Sequence, residues 1–168
     1  MAATSTGLTG TTNIEINIAH KKELDLDTVL DQLNITCGVN WAWGTGANQV
    51  DMVYHAELTR LDDSAVIDIS GTDIQDAFGD NCDFAALKFV YIKNTDATEK
   101  LLLGADANHI GIFATLATDV LEIAPNGGFF LWCDPSAAGL DVTTNKNLAI
   151  LAETVEITCD IVLMGLAT

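Results

Sequence analysis

The chain has 168 residues, enough for one domain with a sizeable hydrophobic core. Its 7 Lys and Arg against 24 Asp and Glu give a formal charge of −17, which opposes binding to nucleic-acid phosphates. Apolar residues make up 49% of the chain and charged residues only 18%, a balance typical of half-buried strands rather than of charged surface helices.

The N-terminal region divides into two parts by composition. Residues 1–12 are rich in Ser, Thr, Gly and Ala and predict a flexible or extended arm. Residues 13–168 are predicted to form a single domain. Its first strand is "NIEINIA", in which Ile14, Ile16 and Ile18 alternate with polar residues and therefore share one face.

Two short segments have weak helical periodicity. "DLDTVLDQL" (Asp25–Leu33) predicts one or two turns of helix, and so does "TDIQDAFG" (Thr72–Gly79). Both would be short corners of a fold that is otherwise built from strands.

Period-two alternation dominates the rest of the chain. It is clearest in "NITCGVNWAW", "VDMVYHAEL" and "VEITCDIVLM". Shorter strand-like segments are "AVIDIS", "AALKFVYIKN", "KLLLG", "DVLEIA", "GGFFLWC" and "NLAILAE". About ten strands at these spacings predict an all-β fold, an antiparallel β-sandwich.

Two glycine-rich stretches resemble phosphate-binding loops. A phosphate-binding loop is followed by a helix, whose N-terminus supplies the amides. "PNGG" precedes "FFLWC", and "GTGANQ" (Gly44–Gln49) lies between two alternating segments, so neither has that helix. We predict a tight hairpin turn at Asn126-Gly127 and a hairpin loop at Gly44–Gln49.

No arrangement of residues indicates catalysis or a cofactor. His20, His55 and His109 have no second His or Cys three or four residues away, and no G-x-S-x-G occurs. Surface or polar-network roles are predicted for the histidines, with His55 on an outer strand face. A catalytic triad assembled only in space stays open.

The cysteines and the acidic clusters have simple interpretations. The four cysteines lack metal-ligand spacing and are expected to be free thiols in a reducing compartment; they are Cys37, Cys82, Cys133 and Cys159. The acidic clusters are predicted to be solvated faces; they comprise Asp25, Asp27, Asp31, Asp62 and Asp63. Their spacing differs from that of a calcium loop, although calcium between loops of neighbouring subunits stays an alternative.

Trp41 and Trp43 are separated by one residue and therefore point the same way from their strand. Core packing is the simpler interpretation. An aromatic platform for binding sugars is the alternative.

No apolar run is long enough for a membrane span, and "MAATSTGLTGTTN" lacks the charged start and apolar centre of a signal peptide. We therefore expect synthesis in a cytosol, without membrane binding.

Several segments resemble small virion proteins of tailed phages and prophages. They are "WGTGANQVDMVYHAELTRL" (Trp43–Leu61), "DAFGDNCDFAALKFVYIKN" (Asp76–Asn94), "IAPNGGFFLWCDPSAAGLDVT" (Ile123–Thr143) and "DIVLMG" (Asp160–Gly165). The matching residues belong to turns and cores and include no catalytic signature.

The resemblance implies a jelly-roll-like sandwich in a virion assembled in the host bacterial cytoplasm. The implied role is a capsid decoration (cement) protein on the capsid exterior, a homotrimer bound to the major capsid protein. A neck or tail-fibre component that binds a receptor or glycan is the alternative. Neither role involves an enzyme or a cofactor.

We further expect residues 1–18 to dock on a neighbouring protein by strand addition, because exposed sheet edges favour such pairing. The residues predicted to make interactions are Asn13, Ile14, Ile16, Ile18, Trp41 and Trp43.

Overall fold

The computed structural model describes residues 7–23, 28–60, 66–104, 106, 108–110, 112, 120–133, 138–152 and 156–168. These residues contain strands, turns and bends, and no helix. The nine strand pairs whose register the structure describes are antiparallel, which confirms the predicted all-β antiparallel fold.

Thirteen strands occur in the described ranges. They are β1 (Thr9–Glu23), β2 (Thr28–Trp43), β3 (Gln49–Val50), β4 (Met52–Arg60), β5 (Val66–Asp68), β6 (Ser70–Gln75), β7 (Asn81–Asn94), β8 (Leu101–Gly104), β9 (Val120–Ile123), β10 (Gly128–Trp132), β11 (Leu140–Asp141), β12 (Asn147–Ala152) and β13 (Ile157–Ala167).

The chain divides into two compact units, Met1–Trp43 and Gly44–Thr168. The division therefore falls thirty-one residues after the expected end of the arm at residue 12. The reason is that Thr9–Glu23 pairs along its whole length with Thr28–Trp43, so the residues around that expected end lie inside a long β-hairpin. Residues 1–6 of the predicted arm lie outside the described residues.

The helix predicted for Asp25–Leu33 is wrong where the structure describes it. Thr28–Leu33 is the beginning of β2, and its register runs from Glu23↔Thr28 to Ile18↔Leu33. Cross-strand hydrogen bonds satisfy this backbone and override a weak local preference for helix. Asp25–Asp27 lie outside the described residues.

The second unit contains two antiparallel sheets. The larger has the order β10-β7-β13-β4, with β6 and β11 also paired to β7, and the smaller has the order β5-β12-β8-β9. Side chains of both sheets form one core cluster; among them are Phe84, Val90 and Ile161 of the larger sheet and Leu103 and Ile150 of the smaller. This is the expected sandwich arrangement, while its jelly-roll connectivity stays a prediction.

The helix predicted for Thr72–Gly79 is also wrong. The segment forms β6 up to Gln75 and then a turn. The carboxylate of Asp76 accepts hydrogen bonds from the backbone N–H groups of Phe78 (2.8 Å) and Asp80 (2.9 Å). An aspartate that caps its own turn in this way stabilises the turn against helix.

The Asn126-Gly127 segment is a turn, as predicted, but it does not close a β-hairpin. The strand before it, β9, belongs to the smaller sheet, and the strand after it, β10, belongs to the larger. Asn126 has φ 58°, and Gly127 donates its N–H to Ala124 O at 2.8 Å. The dipeptide therefore forms a turn that connects two sheets. Whether such a turn joins strands of one sheet or of two depends on strand pairing and not on the dipeptide itself.

Acid is expected to weaken the loop after β7. The Asp96 carboxylate accepts hydrogen bonds from Glu99 N (2.9 Å), Thr98 N (2.7 Å) and Thr98 Oγ1 (3.1 Å). The backbone N–H of Glu99, followed by that of Thr98, holds the pKa of this carboxyl below its ordinary value of 3.8. Because the folded pKa is depressed, the stabilisation is complete above pH 3.8 and is lost as pH falls through the folded value.

Urea unfolding of wild type and Asp96→Asn at a series of pH values tests this expectation. The neutral amide keeps an acceptor oxygen but has no carboxyl proton to gain, so the variant should lose less stability in acid. Identical acid slopes for the two proteins would contradict the assignment.

Candidate interaction surfaces

The register of the β1–β2 hairpin gathers apolar side chains on one side of the first unit. Directly opposite pairs are Ile14↔Cys37, Ile16↔Ile35 and Ile18↔Leu33. We call the middle part of this side the hairpin face and define it as Thr12, Ile14, Ile16, Ile18, Leu33, Ile35, Cys37, Val39 and Trp41. The register continues the same side with His20↔Asp31 and Lys22↔Val29.

Much of the hairpin face is exposed. Ile18 is 53% exposed, Leu33 47%, Ile35 45% and Ile16 44%. Single exposed apolar residues are ordinary, but a contiguous group of them marks an interaction site. The period-two alternation therefore identified a real face of the hairpin, along which these four side chains are exposed.

Asn13 does not belong to the hairpin face. It lies opposite Gly38, on the other side of the hairpin. That side is largely polar and includes Asn17, whose Nδ2 donates to Glu15 Oε1 at 2.6 Å. Of the predicted interaction residues on β1, the three isoleucines come together and Asn13 is separated from them.

The two tryptophans differ in exposure. Trp41 is 3% exposed, and its indole N–H donates to Thr12 Oγ1 at 3.0 Å, whereas Trp43 is 36% exposed. A sugar-binding platform needs exposed ring faces. Trp41 has none, which favours a packing role for this ring.

The strand predicted to add to a neighbouring protein already has an intramolecular partner. Residues Thr9–Ile18 pair with Leu33–Ala42 of the same chain. β2 occupies one edge of this segment, and β1 is the edge strand of its sheet, so strand addition at the other edge stays a prediction.

A second apolar surface crosses the larger sheet on the side away from the core. Opposite residues on four adjacent strands are Phe130↔Tyr91, Tyr91↔Val162 and Val162↔His55. We call these four residues the outer row. Phe130 is 49% exposed, His55 is exposed, and the other two are half-buried.

The position of His55 on an outer strand face confirms the sequence prediction, but the outer row as a whole was missed. Its signal is the run "GFFLWC", in which both alternating sets of side chains are apolar. Phe129 and Leu131 pack against the core, which leaves Phe130 on the outer side. A strand that is apolar on both faces is typical of a sheet covered on both sides.

Neighbouring residues support the outer row as an interface. The next residues along the same strands are charged, Lys93↔Asp160 and Asp160↔Glu57, and form one border of the apolar surface. An apolar centre with a charged border is the usual anatomy of a protein–protein interface.

Phe78 is the most exposed large apolar residue of the described chain, at 82%. It lies in the turn closed by Asp76, where Gly79 has φ 87° and donates its N–H to Asp76 O at 3.1 Å. The turn is held by hydrogen bonds and presents the ring to solvent.

Lys88 is fully buried, at 0% exposure, and holds the loop predicted at Gly44–Gln49. Its Nζ donates to Gly46 O at 2.8 Å and to Gln49 O at 2.9 Å. Burial lowers the pKa of this lysine, and the nearby Asp51 carboxylate acts in the opposite direction. Both partners are loop carbonyls, so Lys88 here anchors a loop.

The described histidines and cysteines have surroundings that fit structural roles. His109 is buried, with Nδ1 2.6 Å from Ile110 O. All four cysteines are free thiols, as predicted. Burial, followed by the Asp76 and Asp80 carboxylates, raises the pKa of the Cys82 thiol to about 11, which disfavours the reactive thiolate.

No group of three His, Cys, Asp or Glu side chains among the described residues is arranged to hold a metal ion. The predicted acidic clusters cannot be assessed in the same way. Asp25, Asp27, Asp62 and Asp63 lie outside the described residues, as does the side chain of Asp31.

In the part of the chain that the structure describes, there is no helix with the length and apolarity to cross a bilayer. Comparisons with protein-family models, with curated proteins and with solved structures find no match to this chain. The class defined by the fold and the surfaces is an all-β protein with two exposed apolar surfaces on an acidic chain.

Proposed function

We propose that this chain is a structural protein of a tailed-phage virion, a capsid decoration (cement) protein that binds the outer surface of the major capsid shell and stabilises it. It acts as a homotrimer on the capsid exterior, is assembled in the host cytoplasm, and is not an enzyme. The outer row carries the proposal, because it is an exposed apolar surface on a chain of net charge −17.

The physical argument begins from what an outer sheet face normally carries. An antiparallel sheet with one solvated face has polar side chains there, yet Phe130, Tyr91 and Val162 form an apolar strip across three adjacent strands. Aromatic residues are enriched at the centres of protein interfaces and supply much of their binding energy. A flat protein surface with a matching apolar strip is the partner that fits.

A strip of this size gives weak binding for each contact. A trimer that presents three such strips to a repeating shell gains avidity, because the second and third contacts form within one complex. The acidic remainder of the surface then keeps decorated particles apart by charge repulsion. The resemblance of the turn and core segments to phage virion proteins gives the proposal its particular partner.

Replacing Phe130 with serine is expected to weaken binding to undecorated particles at least about tenfold, because an exposed aromatic anchor is removed. The folded chain should lose little stability, since the ring is 49% exposed. Binding is measured by titrating purified protein onto particles and quantifying occupancy after sedimentation.

Val66→Ser is the matched control. Val66 is 37% exposed and lies on β5 of the smaller sheet, away from the outer row along the strand order. The control should bind as wild type does. Equal occupancy for Phe130→Ser and wild type would refute the role of the outer row.

A fibre or neck component that binds glycan is the second candidate, and the exposed ring of Phe130 beside Tyr91 favours it, since sugars stack on aromatic faces. The position of an affinity tag on intact particles separates the two. Labelling over the whole shell supports decoration, and labelling at one vertex supports the second candidate.

A further inference from the structure

We propose that the Asn126-Gly127 turn is a site of spontaneous covalent modification, at which Asn126 is deamidated to aspartate or isoaspartate, and that opening of the turn sets the rate. Asn126 is the only asparagine of the chain that precedes a glycine. Asparagine is among the chemically labile residues of proteins, and a following glycine has no side chain to hinder ring closure. The site is a property of the chain itself and does not depend on the proposed role in a virion.

The reaction joins two neighbouring groups of the chain and needs only water. The deprotonated backbone nitrogen of Gly127 attacks Cγ of Asn126, so that an N–Cγ bond forms and the Cγ–Nδ2 bond breaks. Ammonia leaves with the proton that the Gly127 nitrogen gave up. Water then opens the cyclic imide, placing its hydroxyl on one of the two carbonyl carbons and its proton on the ring nitrogen. Opening at one carbonyl gives aspartate, and opening at the other gives isoaspartate, whose backbone runs through Cβ and Cγ.

The backbone of this exposed dipeptide is held by three hydrogen bonds. Gly127 N donates to Ala124 O at 2.8 Å, within the turn. Asn126 N donates to Asp96 O at 3.1 Å, and Gly127 O accepts from Asn94 N at 2.9 Å. Because the proton of the Gly127 nitrogen is directed at a carbonyl, this nitrogen can lose its proton and turn toward Cγ only after the turn has opened.

Asn94 secures the surroundings of the turn from the interior. It is 0% exposed, and its Nδ2 donates to Glu99 O at 2.8 Å and to Ile123 O at 3.2 Å. These bonds join the loop after β7 to the end of β9, the two segments whose carbonyls hold the turn. The fold therefore keeps a labile dipeptide in an unreactive conformation, and modification proceeds from the small population in which the turn is open.

Isoaspartate at residue 126 would loosen the turn. Its backbone has one additional carbon between the nitrogens of residues 126 and 127, so the bonds to Asp96 O and from Asn94 N cannot both keep their present lengths. The new carboxylate also adds negative charge to a chain of net charge −17. Because the turn connects β9 of the smaller sheet to β10 of the larger, we expect the Asn94 N–H to exchange at least about tenfold faster in the isoaspartate form.

Peptide mass spectrometry of the full chain, sampled during incubation at constant pH and temperature, tests the proposal. Chromatography before detection separates the aspartate and isoaspartate peptides. Asn126 should deamidate at least about tenfold faster in urea-unfolded wild type than in folded wild type. Asn147, which precedes leucine, is the internal control and should react more slowly than Asn126 in the unfolded sample. The slowing caused by folding should match the protection of the Gly127 N–H from deuterium exchange to within about tenfold, because both reactions need the same opening.

Asn94→Ala tests the role of the buried side chain. The variant keeps the backbone N–H that donates to Gly127 O but loses the side-chain bonds, so the folded variant should deamidate at Asn126 at least about tenfold faster than folded wild type. Asn81→Ala is the matched control. Asn81 lies at the other end of β7, where its exposed side chain accepts a hydrogen bond from Gln75 Nε2 at 3.3 Å, and this variant should keep the wild-type rate.

An Asn126 amide that survives in the unfolded chain as long as that of Asn147 would refute the modification site. Equal rates in folded and unfolded wild type would refute control by the turn, and this comparison decides the matter even where Asn94→Ala does not fold. A folded Asn94→Ala that reacts at the wild-type rate would show that the Asn94 side chain does not hold the turn closed.

Discussion

Replacing Gly165 with alanine is expected to destabilise the second unit by about 3 kcal/mol or more. Gly165 lies on β13, which is paired on one side with β4 and on the other with β7. A Cβ at this position would overlap the carbonyl oxygen of Ala86 and lie 3.0 Å from Cδ1 of Phe84. Backbone and a fully buried ring form both obstacles, so neither can yield easily.

Urea unfolding followed by circular dichroism measures this loss. Gly128→Ala is the control, because a Cβ on that β10 residue would lie 3.4 Å from Ile92 O, an ordinary contact. The control should change the free energy of unfolding by less than about 0.5 kcal/mol. Similar values for the two variants would show that β13 and β7 are not packed as described.

Replacing Lys88 with methionine is expected to cost about 2 kcal/mol of stability, because the carbonyls of Gly46 and Gln49 lose a charged donor. Removal of a buried charge offsets part of this loss, so the clearest effect should be local. We expect the amide N–H groups of Gly44 and Gln49 to exchange at least about tenfold faster with deuterium.

Lys88 should also make the free energy of unfolding depend on pH. Its folded pKa is lowered from 10.5 by burial, so between the folded value and 10.5 the unfolded chain binds more protons. Stability should therefore rise with pH across that window, while the neutral amine still has N–H donors for two carbonyls. The difference in unfolding free energy between wild type and Lys88→Met should grow accordingly.

Lys100→Met is the control for both measurements. Lys100 forms a 3.1 Å ion pair with Glu122, and its side chain is 43% exposed. Loss of such an exposed pair should change stability by less than about 0.5 kcal/mol. Equal changes in unfolding free energy and in loop amide exchange for Lys100→Met and Lys88→Met would contradict the role of Lys88 in holding the loop.

Gly165 and Lys88 illustrate one limit of sequence reasoning. The pairing Met164↔Phe89 is followed by Gly165↔Leu87, so Lys88 is an extra residue at a β-bulge in β7. The bulge interrupts alternation, and Leu87, Lys88 and Phe89 are all buried. A strand was predictable from "AALKFVYIKN", but the bulge was not, because it depends on the strand placed opposite.

The short helices show a different limit. Thr28–Leu33 and Thr72–Gln75 have enough apolar spacing to suggest a helical turn, yet both are strands. Their cross-strand partners lie outside the segments, at Ile18–Glu23 for the first and at Asn81 for Gln75 of the second, and local preference for helix is weak compared with this pairing. The Asn126-Gly127 corner is a similar case, since the dipeptide specifies a turn but not which sheet follows it.

The sequence by itself determined the all-β class, most of the strands and which side chains share a face of each strand. Alternate residues of a strand lie on the same face, so a period of two in the sequence predicts these sets directly. The tertiary structure decided which strands pair and where a bulge directs Lys88 into the interior. It also decided which apolar faces are buried by other residues of the chain. The alternation of Ile14, Ile16 and Ile18 has the same form as that of Ile157, Cys159 and Ile161, which are fully buried. Only the packed chain distinguishes them, because burial depends on what lies opposite a face and not on the pattern within it.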